Sequence, residues 1–180
     1  VCTLVGEIDT TEAEEAFKTG DASLGDEVET FYTVPLHCYT VDIPALISEH
    51  RLGLLKAGRV AVTGAIMSVL GRKQLPKFYF SVCDIKECEP DKALENTVWY
   101  VGTITKVRPI SQDCAGRDVM TLTISDMSPL GETSILYVCL RGTIARKWAG
   151  LQKGQKICGP GYLKPYRSVY EIYAQDLQIL

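Results

Sequence analysis

The chain repeats itself at an offset of 96 residues. Val5-Gly6-Glu7-Ile8 returns as Val101-Gly102-Thr103-Ile104, and Leu55-Lys56-Ala57-Gly58 returns as Leu151-Gln152-Lys153-Gly154. Gly6 to Gly58 and Gly102 to Gly154 therefore both span 52 positions. A third echo sets Val82-Cys83-Asp84-Ile85 against Ala174-Gln175-Asp176-Leu177, four residues out of step. Solenoid units are roughly 20 to 50 residues long, so a period of this length means two copies of a complete small domain. Two small β-rich domains in tandem suit the holding of an extended polymer or a partner protein. They are not an obvious arrangement for catalysis.

The 180 residues allow two domains, since domains run from about 50 residues upward. A hydrophobic share of 46% supplies two cores and marks the chain as globular. No apolar run approaches the roughly 20 residues that span a bilayer, so no membrane partner is expected. There is no secretory hydrophobic region at the start, and the Val1 beginning without a Met fits a processed or trimmed terminus.

Seven cysteines at irregular spacing are an odd number. Cys2, Cys38, Cys83, Cys114, Cys139 and Cys158 stand singly, mostly among apolar neighbours. They read as buried free thiols in a reducing, intracellular compartment and not as a disulfide frame. Cys83 and Cys88 enclose four residues, a spacing open to a zinc half-site. Zinc would need two more ligands, and His37-Cys38 is the other close pair; core cysteines without a metal are the simpler expectation.

Charge is unevenly shared. Residues 1–92 hold 9 Lys/Arg and 15 Asp/Glu, a balance of −6, with the acidity concentrated between Glu7 and Glu29. Residues 93–180 hold 10 and 7, a balance of +3. Phosphate binding rests on Lys and Arg, so a polyanion would meet the second half.

That half has the cleaner pattern. Asn96 to Val107 is rich in β-branched and aromatic residues, as strands are. Ser111 to Arg117 is a polar turn, and Val119 to Ser125 alternates with period two. A loop from Asp126 to Glu132 leads to a third strand, Ser134 to Leu140. Thr143 to Leu151 has helical apolar spacing behind a Thr cap. Lys156 to Tyr162 and a long closing strand, Val169 to Leu180, complete the series. Three strands, a short helix and two strands is the order of the OB-fold, a five-stranded Greek-key barrel.

The first half carries the same order less clearly. Cys2 to Ile8, Leu55 to Ile66 and Phe78 to Ile85 match the opening strand, the helix end with the fourth strand, and the fifth strand. An acidic insertion at about 9–29 stands where a second strand belongs, and Thr11 to Lys18 has the signals of a short capped helix ending at Gly20. The expected architecture is mainly β: two tandem OB-fold barrels with short helices, residues 1–90 and 95–180, joined by the polar stretch Glu89 to Glu95.

Asn96 with Val101-Gly102, Leu122-Thr123-Ile124 and Val138-Cys139-Leu140-Arg141-Gly142 stand out in the second half. Ala145, Leu151-Gln152-Lys153-Gly154 and Gly161-Tyr162-Leu163 continue the series. In these residues and their order the second half resembles the single-stranded DNA-binding protein family of bacteria and mitochondria. Related OB domains occur in the primosomal replication protein and in mitochondrial RNA-editing complexes. The resemblance takes the long closing strand as its last element. It implies non-catalytic binding of single-stranded DNA or RNA on an open face, often within oligomers or larger assemblies, with no cofactor. It also implies a mitochondrial matrix setting as one option. In that family bases stack late in the third strand and in the loop between strands four and five. Here those positions fall on Ile135 and Arg141 and near Tyr166 to Ser168, and the Gly-rich acidic tail of bacterial members has no counterpart before Leu180.

Candidate contacts follow from residue types. Lys164, Tyr166, Arg167 and Tyr170 interleave cations with aromatic rings, so phosphates can meet charge while bases stack. Lys106, Arg108 and Arg117 flank the first hairpin loop, and Arg141 ends the third strand. In the first half Arg72, Lys73 and Lys77 surround Gln74-Leu75-Pro76, with the acidic segment repelling phosphate nearby. Arg146, Lys147 and Trp148 lie on the short helix, where Trp148 reads as an apolar plug. No catalytic constellation appears: His37 and His50 lack a nucleophile context, Asp84 and Asp176 read as loop anchors, and Gly159-Pro160-Gly161 lacks the Lys-Ser/Thr of a phosphate loop. Neither an enzymatic activity nor a small-molecule substrate is expected. The competing expectation is a structural OB subunit that makes protein–protein contacts alone.

Overall fold

A computed structural model describes residues 2–20, 27–39, 41–69, 77–127, 133–166 and 169–180. The chain divides into two compact units, Val1–Ala65 with Tyr79–Asn96, and Ile66–Phe78 with Thr97–Leu180. Among the described residues, no helix is long and apolar enough to cross a membrane.

The first unit is built on β1 (Cys2–Ile8), β2 (Glu14–Thr19), β3 (Glu29–Cys38), β4 (Val41–Ser48), the short helix α1 (Glu49–Leu52), β5 (Gly58–Val69) and β6 (Lys77–Glu87). Its sheet runs β1-β5-β6-β4-β3-β2, and β1 also pairs with β3, which closes the ring. β4 and β6 are parallel. Every second residue turns inward, so Leu4, Leu36, Ile43 and Phe80 are fully buried together. Burying one such side chain stabilises the fold by about 1.5–3 kcal/mol.

The second unit contains β7 (Thr97–Gln112), β8 (Asp118–Met127), β9 (Thr133–Arg141), the helix α2 (Thr143–Lys147), β10 (Lys156–Tyr166), β11 (Val169–Ala174) and β12 (Gln178–Ile179). Its order is β11-β9-β8-β7-β10-β12, closed by pairing of β11 with β10. β9 and β11 are parallel and the other ladders antiparallel. Strand neighbours one-two-three-five-four-one, with a helix between three and four, are those of the Greek-key OB barrel in both units. Tyr100, Ile104, Met120 and Leu122 fill the second core. Residues 66–69 at the end of β5 belong to this unit: the Ser68 N–H donates to Ser134 Oγ at 2.9 Å, and its hydroxyl donates to Ile135 O at 2.6 Å.

Several expectations need correction. Thr11 to Lys18 is not a helix. Asp9 caps a single 3-10 turn, Thr10–Glu12, and the chain then returns to strand as β2. The open edge of β3 supplies backbone partners from Glu14↔Thr33 to Thr19↔Glu29, and Phe17 stacks on Phe31 at 5.2 Å. Ladder hydrogen bonds and that ring pair outweigh a weak local helix preference. The acidic stretch thus holds the continuation of strand one, and strand two is β3.

Thr143 does not cap α2. The cap position is Gly142 at φ +56°, where a side chain would be strained, and its N–H donates to Asp118 O at 2.8 Å. The helix ends at Lys147, and Trp148 beyond it is half-buried instead of enclosed. The closing strand is split. Gln175 and Asp176 N–H groups both donate to Pro160 O, at 2.9 and 3.5 Å, and Tyr100 Oη donates to Asp176 O at 2.8 Å, so β11 and β12 are separate. Of the seven cysteines only Cys38 and Cys139 are buried, and Cys83 and Cys114 are exposed. Burial pushes the Cys38 thiol up to about 12, which keeps it protonated and unreactive.

The kink after β11 brings Asp176 O against Gly159, where a methyl group would lie 2.3 Å from it. Gly159→Ala is therefore expected to cost the second unit about 2 kcal/mol in urea unfolding followed by Trp99 and Trp148 fluorescence. Gly150→Ala, with nothing within 4 Å, stays within about 0.5 kcal/mol.

In the first unit, His37 Nδ1 lies 2.7 Å from Asp42 Oδ1 across the β3–β4 hairpin, and Nε2 lies 3.6 Å from Glu12 Oε2. The Asp42 hydrogen bond is the main cause that raises the His37 pKa. The imidazolium's contribution to stability is complete below the unfolded value of about 6.5 and is lost as pH climbs through the higher folded value. Thermal melts should show the gap in Tm between wild type and His37→Gln wider below the unfolded His value than above it, and narrowing as pH rises.

Candidate nucleic-acid interface

The outer face of the second barrel is laid out by strand register. β7 begins with Val98, Tyr100 and Ile104 pointing inward. A bulge between Ile104 and Lys106 then inserts Thr105, so that Lys106 pairs with Thr123 and Arg108 with Thr121. The bulge reverses which face the even-numbered residues occupy and turns both cations outward.

From there two rows of side chains cross five strands. Directly paired residues share a face, so Arg108, Thr121, Cys139, Tyr173 and Tyr162 form one row. Lys106, Thr123, Tyr137, Glu171 and Lys164 form the next. Lys106, Arg108 and Lys164 are exposed. Three tyrosines thus stand among three cations on one sheet surface.

One end of the face is organised by Asp113 in the turn between β7 and β8. Its Oδ1 accepts the Ala115 and Arg117 N–H groups at 2.9 and 3.0 Å, and its Oδ2 pairs with Arg117 Nε and Nη2, both at 2.9 Å. The Arg117 N–H is the chief cause that holds the Asp113 carboxyl below its usual range. Arg141, paired with Val119 at the end of β9, lies with Nη1 4.0 Å from the same carboxylate. Its guanidinium carbon is 4.3 Å from the Tyr173 ring centroid, and Nη2 donates to Tyr173 Oη at 2.8 Å. Lys164 Nζ is 5.2 Å from the same centroid, and the Tyr162 ring centre is 5.5 Å away. Arg141 leaves Tyr173 only 6% exposed, so the flat surface offered here is the guanidinium and not the phenol ring. A groove of about 450 Å³ runs between the turn and the hairpin, lined among others by Arg108, Arg117, Arg141, Tyr166 and Glu171. Burial raises the Glu171 carboxyl, with Arg141 and Arg108 acting in the opposite direction.

The structure brings Lys106, Arg108, Arg117, Arg141, Lys164 and Tyr166 to this face or its rim. Tyr170 is elsewhere: its ring stacks on Phe78 at 4.8 Å. Lys77 heads β6 and does not line the groove. Arg72, Lys73 and Arg167 lie outside the described residues. Tyr137, Tyr162, Tyr173 and Glu171 were missed by reading loops alone. Period-two alternation in β9 and β10, which sets Tyr137 beside the third-strand position Ile135 on one face, was the signal that could have found Tyr137 and Tyr162; β11 carries no such alternation to mark Glu171 and Tyr173. As for zinc, no group of three or more His, Cys, Asp or Glu is placed to hold a metal among the described residues, and Cys83 Sγ donates to Thr63 O at 3.2 Å.

No family model matches the chain, and no curated protein matches its sequence. Solved structures do. A deletion mutant of the single-stranded DNA-binding protein from Thermus aquaticus superposes with a TM-score of 0.76 at 16% identity, over 99% of this chain and 92% of that one. The wild-type protein from Thermus aquaticus gives 0.71 at 19% identity, over 99% and 91%. The chain has the SSB-type tandem OB fold. Within that fold, Arg141 on Tyr173 is a stacked ion that a point charge cannot replace. Arg141→Lys should lower the stability of the second unit by about 1 kcal/mol in urea unfolding read by Trp fluorescence.

Proposed function

We propose that this protein is a non-catalytic binder of single-stranded nucleic acid, DNA or RNA, that uses the outer face of its second barrel and serves as a subunit of a larger nucleoprotein assembly. The observation that carries this reading is the pair of registered rows in which Lys106, Arg108 and Lys164 share a face with Tyr137, Tyr162 and the Arg141–Tyr173 stack. The cations neutralise phosphates, and the flat groups accept bases at about 1–3 kcal/mol per stack. Tyr166 extends the platform at the end of β10, and Arg167 follows it in sequence. The fold shared with the Thermus aquaticus single-stranded DNA-binding protein supports the same reading. A mitochondrial setting belongs to it only through the family resemblance. No cofactor takes part.

A second reading, a scaffold that contacts proteins alone, is favoured by one observation. Trp99 is 55% exposed on β7, paired with Pro160, and Val101 beside it is exposed as well. Large apolar side chains left on a sheet face are the raw material of protein interfaces.

The two readings differ in their response to salt. Fluorescence anisotropy with labelled oligo-dT and oligo-U should show affinity falling as salt rises, with a log–log slope of about −0.7 per phosphate contacted. Replacing Lys106, Arg108 and Lys164 together by Ala should make that slope shallower by about 2. Lys153→Ala, in the turn before β10, should leave it unchanged. Absence of binding at low salt by folded protein would sink the nucleic-acid reading and leave the scaffold.

A further inference from the structure

Glu171 is out of place on a surface built for phosphates. Its direct neighbours across the sheet are Tyr137 on β9 and Lys164 on β10, and Tyr173 lies two residues further along its own strand, on the same face. It is half-buried and lines the groove. Arg141 and Arg108 act on it electrostatically, yet among the described residues its carboxylate makes no hydrogen bond or ion pair. It is the only carboxylate in the two rows. A carboxylate here is an acceptor without a donor, and it repels the phosphates that its cationic neighbours attract.

A DNA strand offers such a group little. Phosphate and deoxyribose oxygens only accept, so the donors available are the N–H groups of the bases. Guanine places two of them side by side, N1–H and the N2 amino group, at a spacing that both oxygens of one carboxylate can accept together. Cytosine and adenine offer one exocyclic amino group beside a ring acceptor. Thymine offers N3–H between two carbonyl oxygens that the carboxylate repels. Single strands are read in this way, with the base stacked on an aromatic ring and its Watson–Crick edge turned to a polar side chain.

We propose that Glu171 is a specificity residue of the second barrel: it accepts both edge donors of a guanine stacked on the neighbouring Tyr137, so the face prefers guanine over thymine. This rests on the single-strand-binding reading of the same face. It gives the protein base discrimination on a platform whose stacking is otherwise indifferent to sequence.

The test compares two labelled DNA probes of equal length on the full chain. One is oligo-dT, and the other carries guanines spaced too far apart to associate into quadruplexes. A third probe replaces each guanine by inosine, which keeps N1–H and lacks the amino group. Wild type should bind the guanine probe about tenfold more tightly than oligo-dT, with inosine in between. Glu171→Gln should bind oligo-dT at least as well as wild type, since a negative charge has gone, while its guanine-to-thymine ratio falls to about one. Lys106→Ala should weaken both probes and leave the ratio intact. Equal binding of all three probes by wild type overturns the inference without recourse to any variant. So does a guanine preference that survives in Glu171→Gln. Failure of every probe to bind at low salt overturns the single-strand reading and this inference with it.

Discussion

The first strand of each barrel must hydrogen-bond along both of its edges, and the rest of the structure follows from how it manages this. β7 pairs with β10 from Thr97 to Thr103 and with β8 from Thr103 to Gln112. A regular strand cannot curve far enough to do both, because the two partners lie on different walls of a small barrel. The extra residues in β7, at Thr105 and again between Arg108 and Ser111, supply the bend. In the first unit the same demand is met more severely. β1 pairs with β5, breaks into a 3-10 turn capped by Asp9, and resumes as β2 along β3. One barrel bends its first strand and the other interrupts it.

That bend also makes the candidate interface. If Thr105 took a regular place in the ladder instead of bulging, the alternation that buries Val98, Tyr100 and Ile104 would carry Lys106 and Arg108 into the apolar interior, at a cost that no fold of this size tolerates. The bulge at that residue turns both to solvent and sets them in rows with Thr121 and Thr123. Register then continues the rows to the tyrosines of β9, β10 and β11. Closure of the sheet and assembly of a cationic, aromatic face are a single geometric event.

The electrostatics of that face are local. Arg117 is engaged by Asp113, which also holds the turn through two backbone N–H groups. Arg141 is laid flat on Tyr173, so its charge and its plane are both presented in a fixed orientation. Lys106, Arg108 and Lys164 stand in solvent, where their charge acts over about one Debye length. Glu171 interrupts this field from within. The acidity of the first half includes the exposed Glu14 and Glu15 of β2.

Much of the fold was legible in the sequence because it is written in local terms. The repeat announced two domains, and period-two alternation with turn residues gave the element order of the second barrel. The same reading failed where distant backbone decided the outcome. Thr11 to Lys18 has helix signals, but the edge of β3, which begins ten residues past Thr19, takes it as strand. The closing segment is apolar enough for one long strand, but Pro160 O and the Tyr100 hydroxyl hold Gln175 and Asp176 out of the ladder. Of the candidate site, residue types and loop positions found the cations, and they could not show that Tyr170 leaves the face to stack on Phe78. By itself the sequence determined which residues have charge, ring or apolar bulk, and in what strand order they come. Only tertiary structure decided which of them share a face, because a single inserted residue reverses the side to which a strand's side chains point, and bulges are placed by barrel closure.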